Sequence, residues 1–390
     1  MATNDVVVVA AARTAIGKAK RGSFKDTRPD TLIGLTVKEV VKRSGVNPDD
    51  IDDLIVGTAT PEAEQGMNVA RIAGMYAGLP DSVPGLTINR FCSSGLQSIA
   101  QGAASIMAGW QKVVVAGGVE SMTQIAMGGQ KPSPNPELME ERPAAYTPMG
   151  ITAENVASRL NVTREEQDAF ALESNLRAAK AIEEGKFKDE IFPVETRVFK
   201  NGEWHNITMD TDEGPRASST MEGLGKLRPV FKAGGSVTAG NSSQMSDGAA
   251  AVVIADADYA KENNLPVLGI LKSYQVVGVD PEIMGVGPRY AIPKALEAAG
   301  LSIEDIGLYE INEAFASQAV YCARELGLDM DKVNPNGGAI ALGHPLGCTG
   351  AKLTATLLYE MKRQNVKYGV VSMCIGGGMG AAAVFENPDA

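Results

Sequence analysis

The sequence predicts an α/β protein assembled from two related halves, and three observations lead to this prediction. Continuous apolar runs, such as residues 6–12, alternate with segments of helical periodicity, a pattern typical of strands buried on both faces of a parallel sheet. A pattern of glycine, acidic turn and strand follows a helix twice, at 45–56 and 300–311. The 390 residues, 44% of them hydrophobic, suffice for a large core and more than one domain.

The first half is predicted in order along the chain. Residues 6–12 form the first strand, and 31–44 form a helix that ends before Gly45. A second strand is predicted over 54–56. A long helix follows over 93–109, and the next buried strand begins at 113 and ends in Gly117-Gly118.

The second half repeats this plan. After the paired turns, each half has a short predicted strand, at 87–89 and at 332–334. Each then continues into a glycine-rich turn, a helix and a valine-rich strand that ends in two glycines, the second of these strands lying at 369–377. Chance similarity of two α/β units is the alternative. If the halves pack sheet against helix against sheet, both sets of turns can meet at one active site.

The segment between the halves has a different composition. Prolines at 132, 134 and 136 prevent a regular element there, whereas 152–160 and 164–184 have helical patterns. Thr163 and Glu166 form a capping box for the second of these helices. We interpret the segment as an inserted lid of loops and helices that can hold a ligand, and residues 240–256 return to a buried-strand pattern. The predicted parts are therefore an N-terminal half (1–120 with 241–265), an inserted domain (121–240) and a C-terminal half (266–390).

Composition and charge exclude several classes of protein. The net charge of -11 gives no electrostatic support for binding nucleic acid. Four widely spaced cysteines and two histidines predict neither a disulfide framework nor a metal site. No apolar run reaches membrane-spanning length, the first residues do not resemble a signal or transit peptide, and the last three are not a peroxisomal signal. We therefore expect a reduced cytoplasmic environment.

Three glycine-rich turns each carry one reactive side chain. Cys92 follows a predicted strand and precedes a predicted helix, whose positive end favours the thiolate and whose free N–H groups can hold an oxyanion. Gly95 is interpreted as leaving room for a ligand. The alternative for Cys92 is a buried structural cysteine.

The other two turns carry His344 and Cys374. His344, between Gly343 and Pro345, can act as a base or donate to an oxyanion; the alternative is a structural loop histidine. Cys374 precedes the glycines at 376–378, which expose backbone N–H groups or simply permit tight packing, and its thiol can act as an acid or base. Cys322 and Cys348 fit packing roles, and His205 fits a surface hairpin.

Several long motifs, in the same order along nearly the whole chain, resemble the thiolase family. These motifs lie at 11–17, 89–95, 115–122, 237–243, 312–315, 337–345 and 372–380. The resemblance implies two fused α/β halves in a five-layer αβαβα sandwich with an inserted loop domain. It also implies an acetyl-CoA C-acyltransferase with acyl-CoA and CoA as substrates, no further cofactor and no metal.

The resemblance implies a role for each reactive residue. Cys92 is acylated and His344 activates it. Asn312 holds a water in the oxyanion hole that His344 shares, and Cys374 protonates the leaving enolate, or takes the proton in synthesis. The N–H groups of Cys92 and Gly376 form a second oxyanion hole.

The resemblance also points to binding residues. CoA is expected to meet Arg216, Phe231, Ala239 and Ser243, with Arg216 at the adenine end and Ser243 at the pantetheine. Met149, Met284 and Phe315 are expected to line the acyl pocket, unless the methionines are simply core. One departure matters: short-chain biosynthetic thiolases carry a histidine where this chain has Pro148. This favours a 3-ketoacyl-CoA thiolase of fatty-acid β-oxidation, with an acetoacetyl-CoA thiolase (acetyl-CoA C-acetyltransferase) as the alternative.

Two further classes remain as alternatives. A decarboxylating condensing enzyme shares the fold but needs no second catalytic thiol, and Cys374 is present. A non-catalytic acyl-CoA-binding protein would be marked by a lost catalytic residue, whereas all four candidates are present. The family further implies a homodimer or homotetramer, with a hydratase–dehydrogenase of β-oxidation as a possible partner.

Overall fold

The computed structural model describes residues 5–390, so the expectation about the first few residues lies outside the described part. Within it, the strands are β1 Val6–Arg13, β2 Gly17–Lys18, β3 Asp53–Gly57, β4 Gly85–Ile88, β5 Val113–Ser121, β6 Val194–Lys200, β7 Glu203–Met209, β8 Ser246–Asp256, β9 Gly269–Gly278, β10 Leu308–Ile311, β11 Tyr368–Ile375 and β12 Met379–Glu386. The helices are α1 Pro29–Ser44, α2 Val69–Ala77, α3 Ser94–Met107, α4 Pro136–Glu141, α5 Met149–Arg159, α6 Arg164–Glu183, α7 Met221–Gly225, α8 Ala257–Glu262, α9 Gly287–Ala299, α10 Ala316–Leu326, α11 Ala339–Leu342 and α12 Thr349–Gln364.

The main sheet consists of two half-sheets, in which β3-β5-β8-β1 of one corresponds in order to β10-β11-β12-β9 of the other. One half runs β4-β3-β5-β8-β1, with the two-residue β2 beside β8, and the other runs β10-β11-β12-β9. Among the described residues they are joined where Val6–Val8 of β1 pairs with three residues of β9. Because this junction is so short, the two half-sheets are free to diverge beyond it and admit helices between them.

The strand predicted at 332–334 is reduced to a single bridge between Val333 and Tyr309. The reason is local, since Asn334 has a φ of +46° and turns the chain away after Val333. The Asn334 side chain then replaces the missing strand residue: its Oδ1 accepts from the Ile311 N–H and its Nδ2 donates to the Ile311 carbonyl, both at 2.8 Å. The repeat is therefore preserved in space, although not as a regular strand.

Helices cover the sheets in layers. The central layer is α3 and α12, which pack against each other, against β5 and against β11 around one apolar cluster. A second apolar cluster lies under α1 and α2, and a third lies under α9 and α10. These contacts give the five-layer αβαβα sandwich, as predicted.

Gly95 has a different purpose from the one expected. A Cβ at this position would lie 2.8 Å from both the Gly347 carbonyl oxygen and the Ala351 nitrogen. Gly95 therefore allows α3 to approach the start of α12, which brings the two halves together directly behind the reactive turns. The prediction that it leaves room for a ligand is wrong.

Most predicted elements of the halves are present. β1 is fully buried, α1 ends at Gly45 with a φ of +71°, and α3 begins at Ser94 after a short 3₁₀ turn. Two strands that were not predicted from the sequence, β9 and β12, complete the second half-sheet.

The segment between β5 and β8 contains α4 to α7 and the β6–β7 hairpin. The capping box of Thr163 and Glu166 begins α6, as predicted. His205 lies exposed on β7, which agrees with its prediction as a surface residue. Among the helices of the described residues, none has the length and apolarity needed to cross a membrane.

Candidate active site

Cys92 lies in a strained 3₁₀ turn, Phe91–Ser93, between β4 and α3. Phe91 has a φ of +46°, a conformation that costs a bulky residue of order 1–3 kcal/mol. Asn89 and Ser94 hold the turn: Asn89 Oδ1 accepts from the Phe91 N–H at 2.7 Å, and Ser94 Oγ donates to the Phe91 carbonyl at 2.7 Å. This geometry places the Cys92 thiol against the end of β11 and the turn that carries His344.

Burial raises the pKa of the Cys92 thiol to about 11. The N–H groups of Gly376 and of Cys92 itself act in the opposite direction, and the Glu120 carboxylate adds to the increase. The N–H groups favour the thiolate, as predicted, but desolvation outweighs them and the thiol stays protonated. The two N–H groups nevertheless point toward the sulfur. When the sulfur attacks a carbonyl carbon, the oxyanion forms beside it and needs such donors.

His344 is buried and its tautomer is set by Thr349. Gly343, with a φ of +99° and with Ser246 Oγ occupying the space that its Cβ would need, brings the chain into the site. Thr349 Oγ1 donates to the Pro345 carbonyl at 3.3 Å, so it accepts from His344 Nδ1 at 2.6 Å. The proton is therefore assigned to Nδ1, and Nε2 keeps its lone pair, 3.4 Å from Asn312 Nδ2. This is the tautomer that a general base requires.

Burial, followed by the charge of Lys352, lowers the pKa of His344 to about 3. The folded protein therefore leaves His344 neutral at pH values where the unfolded chain, with an ordinary pKa near 6.5, takes up a proton. The stability that this neutral ring contributes is complete above pH 6.5 and is lost as the pH falls toward 3.

We expect this linkage to be measurable by denaturant unfolding. Between about pH 7 and pH 5, His344 should account for a loss of about 2 kcal/mol in the free energy of unfolding. The control is His344→Asn, which removes the titrating ring and should make the free energy of unfolding less dependent on pH in this interval. Equal slopes for the two proteins would show that His344 is not held neutral by burial.

Cys374 lies near the end of β11 with no solvent exposure. Burial raises the pKa of its thiol well above the usual value, and the neighbouring thiols of Cys92 and Cys322 add to this. The turn that follows needs glycine, because Gly377 and Gly378 have φ values of +77° and +83°. The site thus holds two protonated thiols, Cys92 from the first half and Cys374 from the second.

The carboxylate of Glu120 on β5 connects the turn that carries His344 to the first half of the chain. Its Oε2 accepts from the N–H groups of Ala59 at 2.8 Å and of Gly347 at 2.9 Å, three residues after His344. Its Oε1 accepts from Gln65 and Thr58. All these groups are buried, so Glu120 holds the His344 turn of the second half against a strand of the first.

The predicted acyl-pocket residues form one apolar cluster around Cys374. Met284, Phe315 and Cys374 are buried in it, and Met149 packs against it from α5. Met149 Sδ also lies 3.5 Å from where a Gly376 Cβ would be, so the cluster extends to the glycine turn. These contacts show that the residues meet beside the thiol; their role in substrate binding stays a prediction.

The predicted CoA residues lie on the inserted segment and the chain that returns from it. Arg216, Phe231 and Ala239 are exposed, and the Phe231 ring packs edge-to-face against Phe315, at 5.9 Å between centroids. The Ser243 N–H donates to the Ala314 carbonyl at 3.0 Å, which attaches this segment to the loop of Asn312. Exposed residues of this segment are therefore in contact with residues of the apolar cluster.

Two further residues, Thr349 and Glu120, hold the site in place and were not predicted from the sequence. Thr349 is five residues after His344, a separation that carries no signal by itself. Glu120, a carboxylate two residues beyond the predicted strand, lies inside the observed β5. It was a usable signal, because a charge next to a buried strand needs partners. Cys322 and Cys348 are both buried in packing positions, as expected. The described residues contain no group of three or more potential ligands arranged to hold a metal ion.

Comparison with known proteins identifies the class that this fold and site define. Residues 6–258 match the thiolase N-terminal domain, and residues 265–387 match the thiolase C-terminal domain. The chain therefore belongs to the thiolase family and is an acyltransferase.

Three similar proteins illustrate the relationship. A 3-ketoacyl-CoA thiolase of Bacillus subtilis is 57% identical over 387 residues, 98% of this chain and 99% of the relative. The dimeric peroxisomal thiolase of Saccharomyces cerevisiae has a TM-score of 0.90 at 46% identity, covering 99% of this chain and 98% of that one. Human mitochondrial 3-ketoacyl-CoA thiolase in complex with CoA has a TM-score of 0.89 at 42% identity, with 99% and 98% covered.

Proposed function

We propose that the protein cleaves 3-ketoacyl-CoA with CoA, yielding acetyl-CoA and an acyl-CoA shortened by two carbons, in fatty-acid β-oxidation. One observation carries the proposal: two buried thiols lie close enough to act on each other's ionisation, one in a turn packed against the turn of a neutral histidine, the other inside an apolar cluster. The histidine's Nε2 has a lone pair and faces only the weak contact from the Asn312 amide. The reaction needs one thiol as the nucleophile, Cys92, and a second thiol that protonates the carbanion, Cys374. The 3-ketoacyl-CoA thiolase relatives support the same reaction.

In the first half-reaction, His344 Nε2 takes the proton of Cys92 as its sulfur attacks the 3-keto carbon. The N–H groups of Cys92 and Gly376 stabilise the resulting oxyanion, and one such donor is worth roughly 3–4 kcal/mol. The bond between C2 and C3 then breaks, leaving the acyl group on Cys92 and acetyl-CoA as its enolate. Cys374 donates its proton to C2 of the enolate, whose thioester oxygen is held by His344 and by a water on Asn312.

In the second half-reaction, a fresh CoA thiol attacks the acyl-Cys92 thioester and gives up its proton to the Cys374 thiolate. Shortened acyl-CoA leaves, and Cys92 recovers its proton from His344. Both thiols are thus restored, and the kinetics should be ping-pong.

The inserted segment is proposed to hold CoA. The chain carries a net charge of -11, yet the exposed residues of this segment include Arg216, Arg228 and Lys232, which suit the phosphates of CoA. Phe231 and Ser243 contact residues of the apolar cluster, Phe315 and Ala314 respectively. Arg216 is proposed to meet the adenine end and Ser243 the pantetheine arm, with Phe231 and Ala239 as further CoA contacts. Met149, Met284 and Phe315 are proposed to contact the acyl chain.

Chain-length preference tests the proposed subclass. We expect a higher kcat/KM for CoA-dependent thiolysis of C8 or C16 3-ketoacyl-CoA than of the C4 substrate, because Met149, Met284 and Phe315 offer apolar contacts to a longer chain. Cys92→Ala provides the blank. Activity confined to acetoacetyl-CoA would assign the protein to acetyl transfer, and no cleavage of any substrate by folded protein would exclude a thiolase reaction.

The assembly and location of the protein are part of the proposal. We propose a homodimer, or a homotetramer made of such dimers, with β4 as the contact: β4 ends the described sheet, and Met67, Tyr76 and Leu86 are exposed near it. The similar peroxisomal thiolase of Saccharomyces cerevisiae is dimeric, which supports this proposal.

A reduced cytoplasm suits a reaction that needs two free thiols. A hydratase–dehydrogenase that supplies the 3-ketoacyl-CoA is the proposed partner.

The division of the chain is also a proposal. It assigns 1–120 with 241–265 to one half, 121–240 to the insertion and 266–390 to the other half. The equivalent strand orders of the two half-sheets support it.

A further inference from the structure

Gln318, in the first turn of α10, contacts the Cys374 thiol and has no part in the mechanism described above. Its side chain is fully buried, and the Cys374 Sγ lies 3.6 Å from its Oε1. The same Oε1 accepts from the Ala314 N–H at 3.1 Å. Gly285 leaves space for this side chain, because a Cβ at that glycine would lie 2.6 Å from the Gln318 Cβ.

The orientation of the Gln318 amide follows from its neighbours. Exchanging Oε1 and Nε2 would place the amide nitrogen against the Ala314 N–H, a contact between two donors. The oxygen is therefore the atom that faces Cys374. An amide oxygen accepts from an S–H group but repels a thiolate, so Gln318 favours the protonated thiol.

A buried glutamine at position 318 lowers the stability of the fold, so packing alone does not explain it. With its oxygen held by Ala314 and Cys374, Gln318 leaves its buried Nε2 without a hydrogen-bond partner among the described residues. A buried donor without a partner destabilises a protein, and an apolar side chain of similar length would avoid this.

We propose that Gln318 is a positioning residue for the proton-transferring thiol of Cys374: fixed by the Ala314 N–H, its carbonyl accepts the S–H, orients it and disfavours the thiolate. This inference rests on the proposed function, which assigns proton transfer to Cys374. When the thiolate is disfavoured, it is a stronger base once formed. Removal of a proton from the acetyl carbon of acetyl-CoA requires such a base. The ionisable groups whose charge acts on Cys374 are the thiols of Cys92, from the turn before α3, and Cys322, on α10.

The test compares two substitutions that should act in opposite directions. In a Cys92→Ser background, alkylation of Cys374 by iodoacetamide is followed against pH by mass spectrometry of the Cys374 peptide. Gln318→Met removes the acceptor and should lower the midpoint by about half to one pH unit. Gln318→Glu keeps an acceptor, adds negative charge and should raise the midpoint. Ser317→Ala, which loses a hydrogen bond from the same helix to Ala153, is the control and should leave the midpoint unchanged.

The partial reactions give a second measurement, with Cys92 present. Gln318→Met should slow deuterium exchange at the acetyl carbon of acetyl-CoA by roughly threefold to tenfold, with acylation of Cys92 changed by less than about twofold. Alkylation midpoints that move in the same direction in both variants, or do not move, would overturn the inference. A non-specific disturbance of the site gives no reason for the two substitutions to shift the midpoint in opposite directions. Exchange that persists in Cys374→Ala would instead overturn the proposed role of Cys374, and the alkylation midpoints would still decide whether Gln318 controls its ionisation.

Discussion

Replacing Cys92 with serine is expected to reduce thiolysis of 3-ketoacyl-CoA by at least about 10⁴-fold, since removing a nucleophile that works together with its base costs roughly 10⁴–10⁶ in kcat. The chemical reason is the large difference in pKa between the Cys92 thiol and its base, His344. The Cys92 thiol already has a pKa of about 11, and His344, with a pKa of about 3, is a weak base whose proton transfer must be assisted by the N–H groups of Cys92 and Gly376. A serine hydroxyl is a far weaker acid and a poorer nucleophile than this thiol, so the same assistance cannot activate it.

The measurement is kcat/KM on the preferred 3-ketoacyl-CoA, together with the Kd for CoA by calorimetry. The Kd should change by less than about twofold, because the CoA residues are proposed to lie on the inserted segment. Cys322→Ser is the matched control: Cys322 donates to the Gly285 carbonyl at 3.3 Å, a bond that serine can also make. Robust thiolysis by Cys92→Ser would rule out an acyl-enzyme on Cys92.

Replacing Cys374 with alanine is expected to separate the two half-reactions. Acetyl-CoA should still acylate Cys92 at a rate within a few-fold of the parent, because His344, Asn312 and the N–H groups around Cys92 are retained. Condensation of two acetyl-CoA, and deuterium exchange at the acetyl carbon, should fall by roughly 10²–10⁴-fold, the usual value of a positioned general acid or base.

Both rates can be measured on one preparation. Acylation is followed as the mass increase of about 42 Da that an acetyl group gives when it replaces a proton on the Cys92 peptide. Exchange is followed by the isotopic composition of recovered acetyl-CoA. If Cys374→Ala condenses at the parent rate, the proton passes through another group. Loss of acylation as well would mean that Cys374 supports the Cys92 turn rather than the enolate.

Much of the architecture could be predicted from the sequence because its signals are local. The apolar run of β1, the glycine at the end of α1 and the capping box of α6 each report on a few adjacent residues, and all three are present in the structure. The exception is also local: 332–334 has a strand pattern, but the left-handed Asn334 ends it after one bridge. β9 was missed because polar residues interrupt its apolar pattern, and β12 because it is composed largely of glycine and alanine, which have little preference for strands.

The sequence by itself determined which chemical groups the protein uses: Cys92, His344, Asn312 and Cys374 stand in recognisable glycine-rich or strand-end motifs. Only the tertiary structure decided their ionisation and their alignment. At Cys92, burial outweighs the N–H groups that the sequence predicted to favour the thiolate. The cost of desolvating a charge depends on everything packed around it, whereas the effect of a helix end depends on a few adjacent residues. Glu120 reaches Gly347 across 227 positions of sequence, and Gln318 reaches Cys374 across 56. No local pattern encodes such pairs, because they exist only when the two halves have packed against each other.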